Sequence, residues 1–235
     1  HVLDEIFGID NRVEELIWAM NTNNSQAPNY STNHEYVLVY AKHRATAEQD
    51  RSMFREPKPG YEEVLELVST LNPVYPTLKE IENELRRFYQ KHQIAYREEI
   101  EAQGLLWDEE ERNDPWKGIY PYCHAEYRNA HERIVPEVEA KAKDGRIWIW
   151  ASDNISMPAT KQSPTTRDPS HKNYRFYKPP HPGTGKYCPC PSRGWNLPYQ
   201  DDSPDARSFV QLDRDGRIVW GPDENNVPRL KRFLH

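Results

Sequence analysis

The segment from Lys161 to Arg193, termed the basic segment below, concentrates residue types that contact nucleic acids. It carries seven cations against a single acid, Asp168. Cationic side chains neutralise phosphates, and arginine also contacts base edges. The predicted DNA-contacting residues are Lys161, Arg167, Lys172, Arg175, Lys178, Lys186 and Arg193. Short basic segments are also common on protein surfaces, so charge alone leaves a solvated loop without a partner as an equal alternative.

Aromatic side chains are interleaved with these cations. Aromatic rings can stack on splayed bases, but aromatics at alternating positions can equally face a hydrophobic core. For Trp195 we favour the core, whereas lysine and arginine are expected to face solvent or DNA. The interleaved aromatics are Tyr174, Phe176, Tyr177, Tyr187 and Trp195.

Two cysteines, Cys188 and Cys190, lie in a Cys-Pro-Cys-Pro sequence with His171 and His181 nearby. Structural zinc usually needs a wider cysteine spacing and a second ligand pair, so no structural metal is expected. The sequence contains no dinucleotide-binding glycine motif, no Walker loop and no G-x-S-x-G motif. No catalytic residue is predicted.

The overall composition argues against a uniformly basic nucleic-acid binder. Net charge is -6, hydrophobic residues make up 36%, and mean hydropathy is -1.00, yet the chain contains 7 Trp and 14 Tyr. A core built from aromatic clusters is expected. Neither a membrane-spanning run nor a signal peptide is evident. Three cysteines suggest no disulfide framework, and we expect a cytoplasmic location.

The N-terminal half predicts a strand pair followed by helices. Val13–Met20 and Tyr36–Ala41 are expected to pair as antiparallel strands, the second of them buried. Apolar residues at helical spacing predict a helix over Gly60–Leu71. A second helix is expected to begin after Thr77, with Glu80 completing a capping box.

The C-terminal half predicts shorter elements. A short helix is expected over Pro136–Lys143, and a strand over Tyr174–Tyr177. Asp144–Trp150 predicts a turn and strand that recur at Asp215–Trp220. We favour a common turn solution over duplication for this similarity, because Asp-Gly is a frequent turn pair. A helix capped by Ser203 is expected to end at Leu212.

Stretches near both ends of the chain form one pattern. They are NRVEELIW at 11–18, NHEYVLVYAK at 33–42, PSRGW at 191–195, DGRIVWG at 215–221 and NVPRLKRFL at 226–234. Together they resemble the adenine-specific DNA methyltransferase (Mod) subunits of type III restriction–modification systems. The combination is fairly specific, although each stretch alone is a weak signal.

This resemblance implies a place within a longer enzyme. In the family, methyl transfer from S-adenosylmethionine to adenine depends on an Asp-Pro-Pro-Tyr-type loop and a Phe-x-Gly-x-Gly cofactor loop. Neither sequence occurs in these 235 residues. The resemblance therefore implies an internal, catalytically inactive segment containing the target-recognition region. It also implies double-stranded DNA as partner, with a restriction subunit and a second copy in the intact complex.

The expected fold is mixed α+β, in four parts. Residues 1–45 would end the methyltransferase core as a strand hairpin, 46–143 would form a helical insertion, 144–228 a β-rich target-recognition region, and 229–235 would return to the core. Two other functions remain open. The acidic helices could make the chain a protein-interaction scaffold, and a preference for single strands would indicate an RNA-binding module.

Overall fold

The computed structural model describes residues 2–19, 34–50, 55–200 and 207–234. The chain divides into two compact units, His1–Pro57 and Lys58–His235. Helices and antiparallel sheets are both present, which confirms the α+β class. None of the helices in these ranges is both long and apolar enough to cross a membrane.

The first unit is built around the predicted strand pair. Its elements are α1 (Val2–Phe7), a 3-10 helix (Ile9–Asn11), β1 (Arg12–Ala19), β2 (His34–Tyr40) and α2 (Arg44–Gln49). β1 and β2 pair antiparallel, as predicted. In this register Leu16 lies opposite Val37. The polar loop between them lies outside the described residues.

Burial of the second strand was wrongly predicted. Tyr36 is 57% exposed and Val37 45%, and on β1 Ile17 and Trp18 are 66% and 67% exposed. The reason is that a two-stranded hairpin needs a second layer to cover its apolar side chains. The described residues of this unit supply no such layer.

The second unit contains the long helices and a five-stranded sheet. Its helices are α3 (Tyr61–Leu71), α4 (Leu78–Ala102), α5 (Trp107–Glu110), α6 (Pro164–Arg167) and α7 (Phe209–Arg214). Its strands are β3 (His124–Arg128), β4 (Ile134–Val135), β5 (Arg146–Asp153), β6 (Ile218–Val219) and β7 (Arg229–Phe233). Short 3-10 helices occupy Glu111–Asn113, Pro115–Gly118, Glu137–Glu139 and Ala159–Lys161.

The sheet joins distant parts of the sequence in the order β4-β3-β5-β7-β6, with every pairing antiparallel. It combines β3 from the expected helical insertion, β5 and β6 from the expected target-recognition region, and β7 from the expected return to the core. From residue 58 onward these ranges share one compact unit. The four-part division of function along the chain stays a prediction.

Helices α3 and α4 cover one face of the sheet. Val64 of α3 and Leu85 of α4 are fully buried with Tyr127 of β3 and Ile149 of β5. The Tyr89 hydroxyl donates to the Tyr122 carbonyl at 2.9 Å. Alternation along the strands explains this face, because successive side chains point to opposite sides of a sheet.

The predicted capping box at the start of α4 is confirmed. The Glu80 N–H donates to the Thr77 hydroxyl, and the Thr77 N–H donates to the Glu80 carboxylate at 2.8 Å. These bonds satisfy two N–H groups that a helix start leaves without partners. They also fix the entry into α4, whose buried residues form much of this core.

The two Asp-Gly turns use different residues for the left-handed backbone conformation. In the first turn Asp144 has φ 49°, whereas in the second Gly216 has φ 64°. The strands that follow, β5 and β6, both pair with β7. β5 is nevertheless the central strand of the sheet and β6 an edge strand. The unlike turns and unlike positions argue against duplication, and also against one shared turn conformation.

Three other local predictions differ from the structure. Pro136–Lys143 forms only the 3-10 helix Glu137–Glu139. Tyr174–Tyr177 is not a strand, because the backbone of Arg175 bonds to Thr166 of α6 and to Trp195 instead of to a neighbouring strand. The last helix begins at Phe209 with Ser208 as its cap, while the predicted cap, Ser203, lies outside the described residues.

Candidate nucleic-acid interface

The basic segment folds around a second hydrophobic cluster. Tyr177, Trp195 and Phe209 pack there with Ile155 and Ile218. Trp195 is fully buried, its ring lies 5.3 Å from that of Tyr177, and its Nε1–H donates to the Tyr177 carbonyl at 2.8 Å. The prediction that Trp195 is a core residue is confirmed.

Backbone hydrogen bonds hold this irregular segment in place without a regular strand ladder. The Arg175 N–H donates to the Thr166 carbonyl at 2.9 Å, and the Trp195 N–H donates to the Arg175 carbonyl at 2.7 Å. The Met157 N–H donates to the Gly194 carbonyl at 2.8 Å. Aromatic packing and these bonds together make the segment an ordered support for its side chains.

Five of the seven predicted DNA-contacting residues are exposed and have no acidic partner in the described part of the chain. They are Lys161, Arg167, Lys172, Lys178 and Arg193. The Arg167 guanidinium also lies 4.5 Å from the centre of the Phe176 ring. These five side chains are available to a phosphate backbone.

The remaining two cations have other contacts. Lys186 is exposed, and its Nζ lies 2.8 Å from Glu224. That bond raises the pKa of Lys186 and lowers the pKa of Glu224 to about 2. Arg175 is half-buried, and its Nε and one terminal nitrogen donate to the Asn173 side-chain oxygen at 3.0 and 2.7 Å.

Burial and hydrogen bonds to the backbone account for Cys190 and His181 of the segment. Burial raises the pKa of the Cys190 thiol to about 11. His181 is buried, its Nδ1 accepts from the Gly183 N–H at 3.1 Å, and its Nε2 lies 3.0 Å from the Gly221 carbonyl oxygen, to which it donates. Among the described residues, no group of three His, Cys, Asp or Glu side chains is placed to hold a metal ion.

A buried charge network occupies the other face of the sheet. Glu126 contacts Arg128 and Lys231, each at 2.5 Å. The Arg128 guanidinium lies 5.4 Å from the Trp148 ring centre and 4.7 Å from that of Phe233. Arg128 is 1% exposed, so its charge is offset by Glu126 rather than by solvent.

Next to Arg128, an arginine-rich cleft of about 550 Å³ opens at the edge of the second unit. This cavity is called the arginine cleft below. It is lined by Arg128, His131, Glu132, Arg133, Ile134, Arg214, Asp215, Gly216 and Arg217. Sequence reasoning missed it because its cations lie in two short stretches 81 or more positions apart (133 to 214) rather than in one basic run. The tight turns in these two stretches were the sequence signal that could have revealed the cleft.

Comparison with known proteins relates the chain to one curated protein. It is 26% identical over 232 residues to the type III restriction-modification enzyme EcoP15I Mod subunit of Escherichia coli. The match covers 99% of this chain and 27% of that protein, so the chain spans about a quarter of its relative's length. No protein-family profile matches the chain. The similarity agrees with the Mod-like resemblance of the sequence pattern.

Proposed function

We propose that this chain is the DNA target-recognition region of a site-specific, S-adenosylmethionine-dependent adenine methyltransferase of the type III restriction–modification class. The observation that carries the proposal is the basic segment, whose five exposed cations have no acidic partner among the described residues and stand on an ordered aromatic support. Similarity to a Mod subunit over 99% of the chain supports the enzyme class.

The cations would act chiefly on the phosphate backbone. Phosphate contacts fix the register of a protein on the duplex, while contacts in the grooves read the sequence. Lys161, Lys172 and Lys178 suit the first task as exposed point charges. Arg167 and Arg193 add planar guanidiniums, which also match the paired acceptors of a guanine edge.

The arginine cleft is a poor site for the methyl donor. S-adenosylmethionine carries a positive sulfonium, and the arginine cleft presents guanidiniums that would repel it. The family's cofactor loop is also absent from the sequence. The cofactor and the catalytic residues are therefore assigned to other parts of a longer enzyme, and no chemical step is assigned to these residues.

The exposed hairpin of the first unit supports the same proposal. Leu16, Ile17 and Trp18 present an apolar edge that isolated domains rarely leave in water. We assign β1 and β2 to the last hairpin of the methyltransferase sheet. A restriction subunit, a second copy of the chain and a cytoplasmic location belong to this proposal as well.

The test compares two triple variants of the 235-residue chain on a duplex DNA. Changing Lys161, Lys172 and Lys178 to Ala removes three exposed cations of the basic segment. Changing Lys79, Lys91 and Lys141, three exposed lysines elsewhere in the second unit, to Ala removes the same charge. Each lost phosphate contact should flatten the log–log salt dependence of affinity by about 0.9.

We expect the log–log salt dependence to be flatter in the first variant only, by the effect of up to about three lost phosphate contacts. Equal slopes in both variants would contradict the proposed interface. Tighter binding to single-stranded RNA than to duplex DNA would favour the RNA-binding function. If the chain binds neither duplex DNA nor single-stranded RNA but captures another subunit, the scaffold function would be favoured.

A further inference from the structure

The arginine cleft lies between two tight turns that are far apart in sequence. One turn, 129–133, joins β3 to β4, and the other, 214–217, joins α7 to β6. The Asn129 side-chain oxygen accepts from the N–H groups of His131 and Arg133 at 2.9 and 3.1 Å, which closes the first turn. Gly216 takes the left-handed conformation that closes the second.

Arg128 clamps these turns to each other. Its guanidinium donates to the Glu132 carbonyl at 2.6 Å, the Asp215 carbonyl at 3.0 Å and the Gly216 carbonyl at 2.9 Å. Because Arg128 is buried and bound to Glu126, the clamp cannot swing into solvent. The walls of the cleft are thus fixed before any ligand arrives, which lowers the entropic cost of binding.

The side chains at the rim are mostly cationic and available. Arg133 and Arg214 are exposed, and neither guanidinium has a hydrogen-bond or ion-pair partner within the described ranges. Arg217 is partly covered; it lies 3.9 Å from Glu132 and 5.2 Å from the Phe233 ring centre.

The balance of charge in the cleft is positive. At the rim, three guanidiniums face the carboxylates of Glu132 and Asp215, which leaves one positive charge in excess. Behind the rim, Arg128 and Lys231 share the single carboxylate of Glu126, which leaves another. The Glu132 side chain is 62% exposed and can turn away from an entering anion.

We propose that the arginine cleft binds a phosphate group, held between the guanidiniums of Arg133 and Arg214. Guanidinium forks match phosphate oxygens with paired hydrogen bonds, and two of them on fixed walls define an anion site. The phosphate could belong to a DNA backbone or be free. A role on DNA rests on the proposed function, whereas binding of free phosphate does not.

The experiment uses the 235-residue chain and a pair of charge-matched variants. One variant changes Arg133 and Arg214 to Ala. The control changes Arg86 and Arg97 to Ala, two exposed arginines of α4 that each pair with a nearby glutamate. Exposed ion pairs of this kind contribute little to stability, so both variants should fold, and their melting temperatures verify it.

The first measurement titrates inorganic phosphate against the arginine Nε–H signals in NMR spectra. We expect saturable shifts in the unmodified chain and in the control, and their loss in the cleft variant. No saturable shift in the unmodified chain, or an equal shift in both variants, would overturn the site.

The second measurement compares the salt dependence of duplex DNA binding. If the phosphate is that of the DNA backbone, the cleft variant should flatten the log–log slope by about 0.9 for each lost contact, while the control leaves it unchanged. Phosphate binding with no change in that slope would assign the cleft to a free phosphate. A chain that binds phosphate but no DNA would refute the proposed function and leave the cleft standing.

Discussion

Within the basic segment, burial separates two kinds of side chain that alternate in the sequence. Tyr177 and Trp195 are buried against each other, and burial raises the pKa of the Tyr177 hydroxyl. The neighbouring Lys172 and Lys178 remain exposed. Replacing a buried aromatic should therefore change stability, whereas replacing an exposed lysine should change affinity for a partner.

Trp195→Ala tests this separation. The variant should lose about 3–5 kcal/mol of unfolding free energy, because a large buried side chain leaves a cavity behind. It also removes the hydrogen bond to the Tyr177 carbonyl. Urea denaturation measures the loss. Tyr187→Ala, at a ring that is 70% exposed in the same segment, is the control and should change stability little.

The ion pair of Lys186 and Glu224 gives a second prediction at this scale. The pKa of Glu224 is lowered to about 2, chiefly by the hydrogen bond from Lys186. An ordinary glutamate titrates near pH ~4.3. The pair therefore contributes stability above that pH, and the contribution is lost as the pH falls towards the lowered pKa.

Carboxyl NMR titration of Glu224 measures the effect. In Lys186→Met, the pKa of Glu224 should rise towards the ordinary value. In the control Lys178→Met, which removes another exposed cation of the basic segment, it should stay low. An unchanged pKa in Lys186→Met would show that Lys186 does not hold the carboxylate.

Among the elements, those with strong local signals were predictable from sequence. The helix that begins after Thr77 has a capping box and a regular apolar face, and both are formed as predicted. The predicted strand at Tyr174–Tyr177 had only the alternation of side-chain types as its sequence signal. Its backbone instead bonds to α6 and to the turn before Trp195, a tertiary outcome that no local pattern encodes.

The capping box predicts a measurable loss on Thr77→Ala. The substitution removes the acceptor for the Glu80 N–H, and loss of an N-cap costs about 0.5–2 kcal/mol. The pKa of Glu80, lowered mainly by the bond from the Thr77 backbone, should stay low because that N–H remains. Urea denaturation and NMR titration report the two quantities separately. Thr160→Ala, at an exposed threonine, is the control and should cost far less.

The stability of the second unit is expected to depend on a buried residue that no sequence motif revealed. Arg128 links β3 to the turn that precedes β6, 87 positions away at Asp215, and bonds to the buried Glu126. Its importance follows only from the sheet order, which brings β3, β5 and β7 side by side. Arginine is rarely buried, so sequence alone places such a residue in solvent.

Arg128→Met should therefore destabilise the unit by about 3–5 kcal/mol, because it strips a buried carboxylate of one partner. The matched control is Arg146→Met. Arg146 pairs with Arg128 across the β3–β5 ladder, but its side chain is 55% exposed. Calorimetric melting of both variants measures the difference. Similar melting temperatures of the two variants would show that the contacts of Arg128 contribute little to stability.

The last prediction concerns the whole chain as the proposed recognition part of a larger enzyme. The chain corresponds to 27% of the length of the Mod subunit that it matches, and it lacks the sequences on which the family's methyl transfer depends. Its cleft is cationic, which disfavours a sulfonium ligand. Titration calorimetry of the 235-residue chain with S-adenosylmethionine should therefore give no saturable heat, and a DNA methylation assay no product. The same chain should still bind duplex DNA with a strong salt dependence, since the proposed phosphate contacts are made by its own cations. Saturable cofactor binding would place part of the methyl-transfer site within these residues and would contradict the division between recognition and chemistry proposed here.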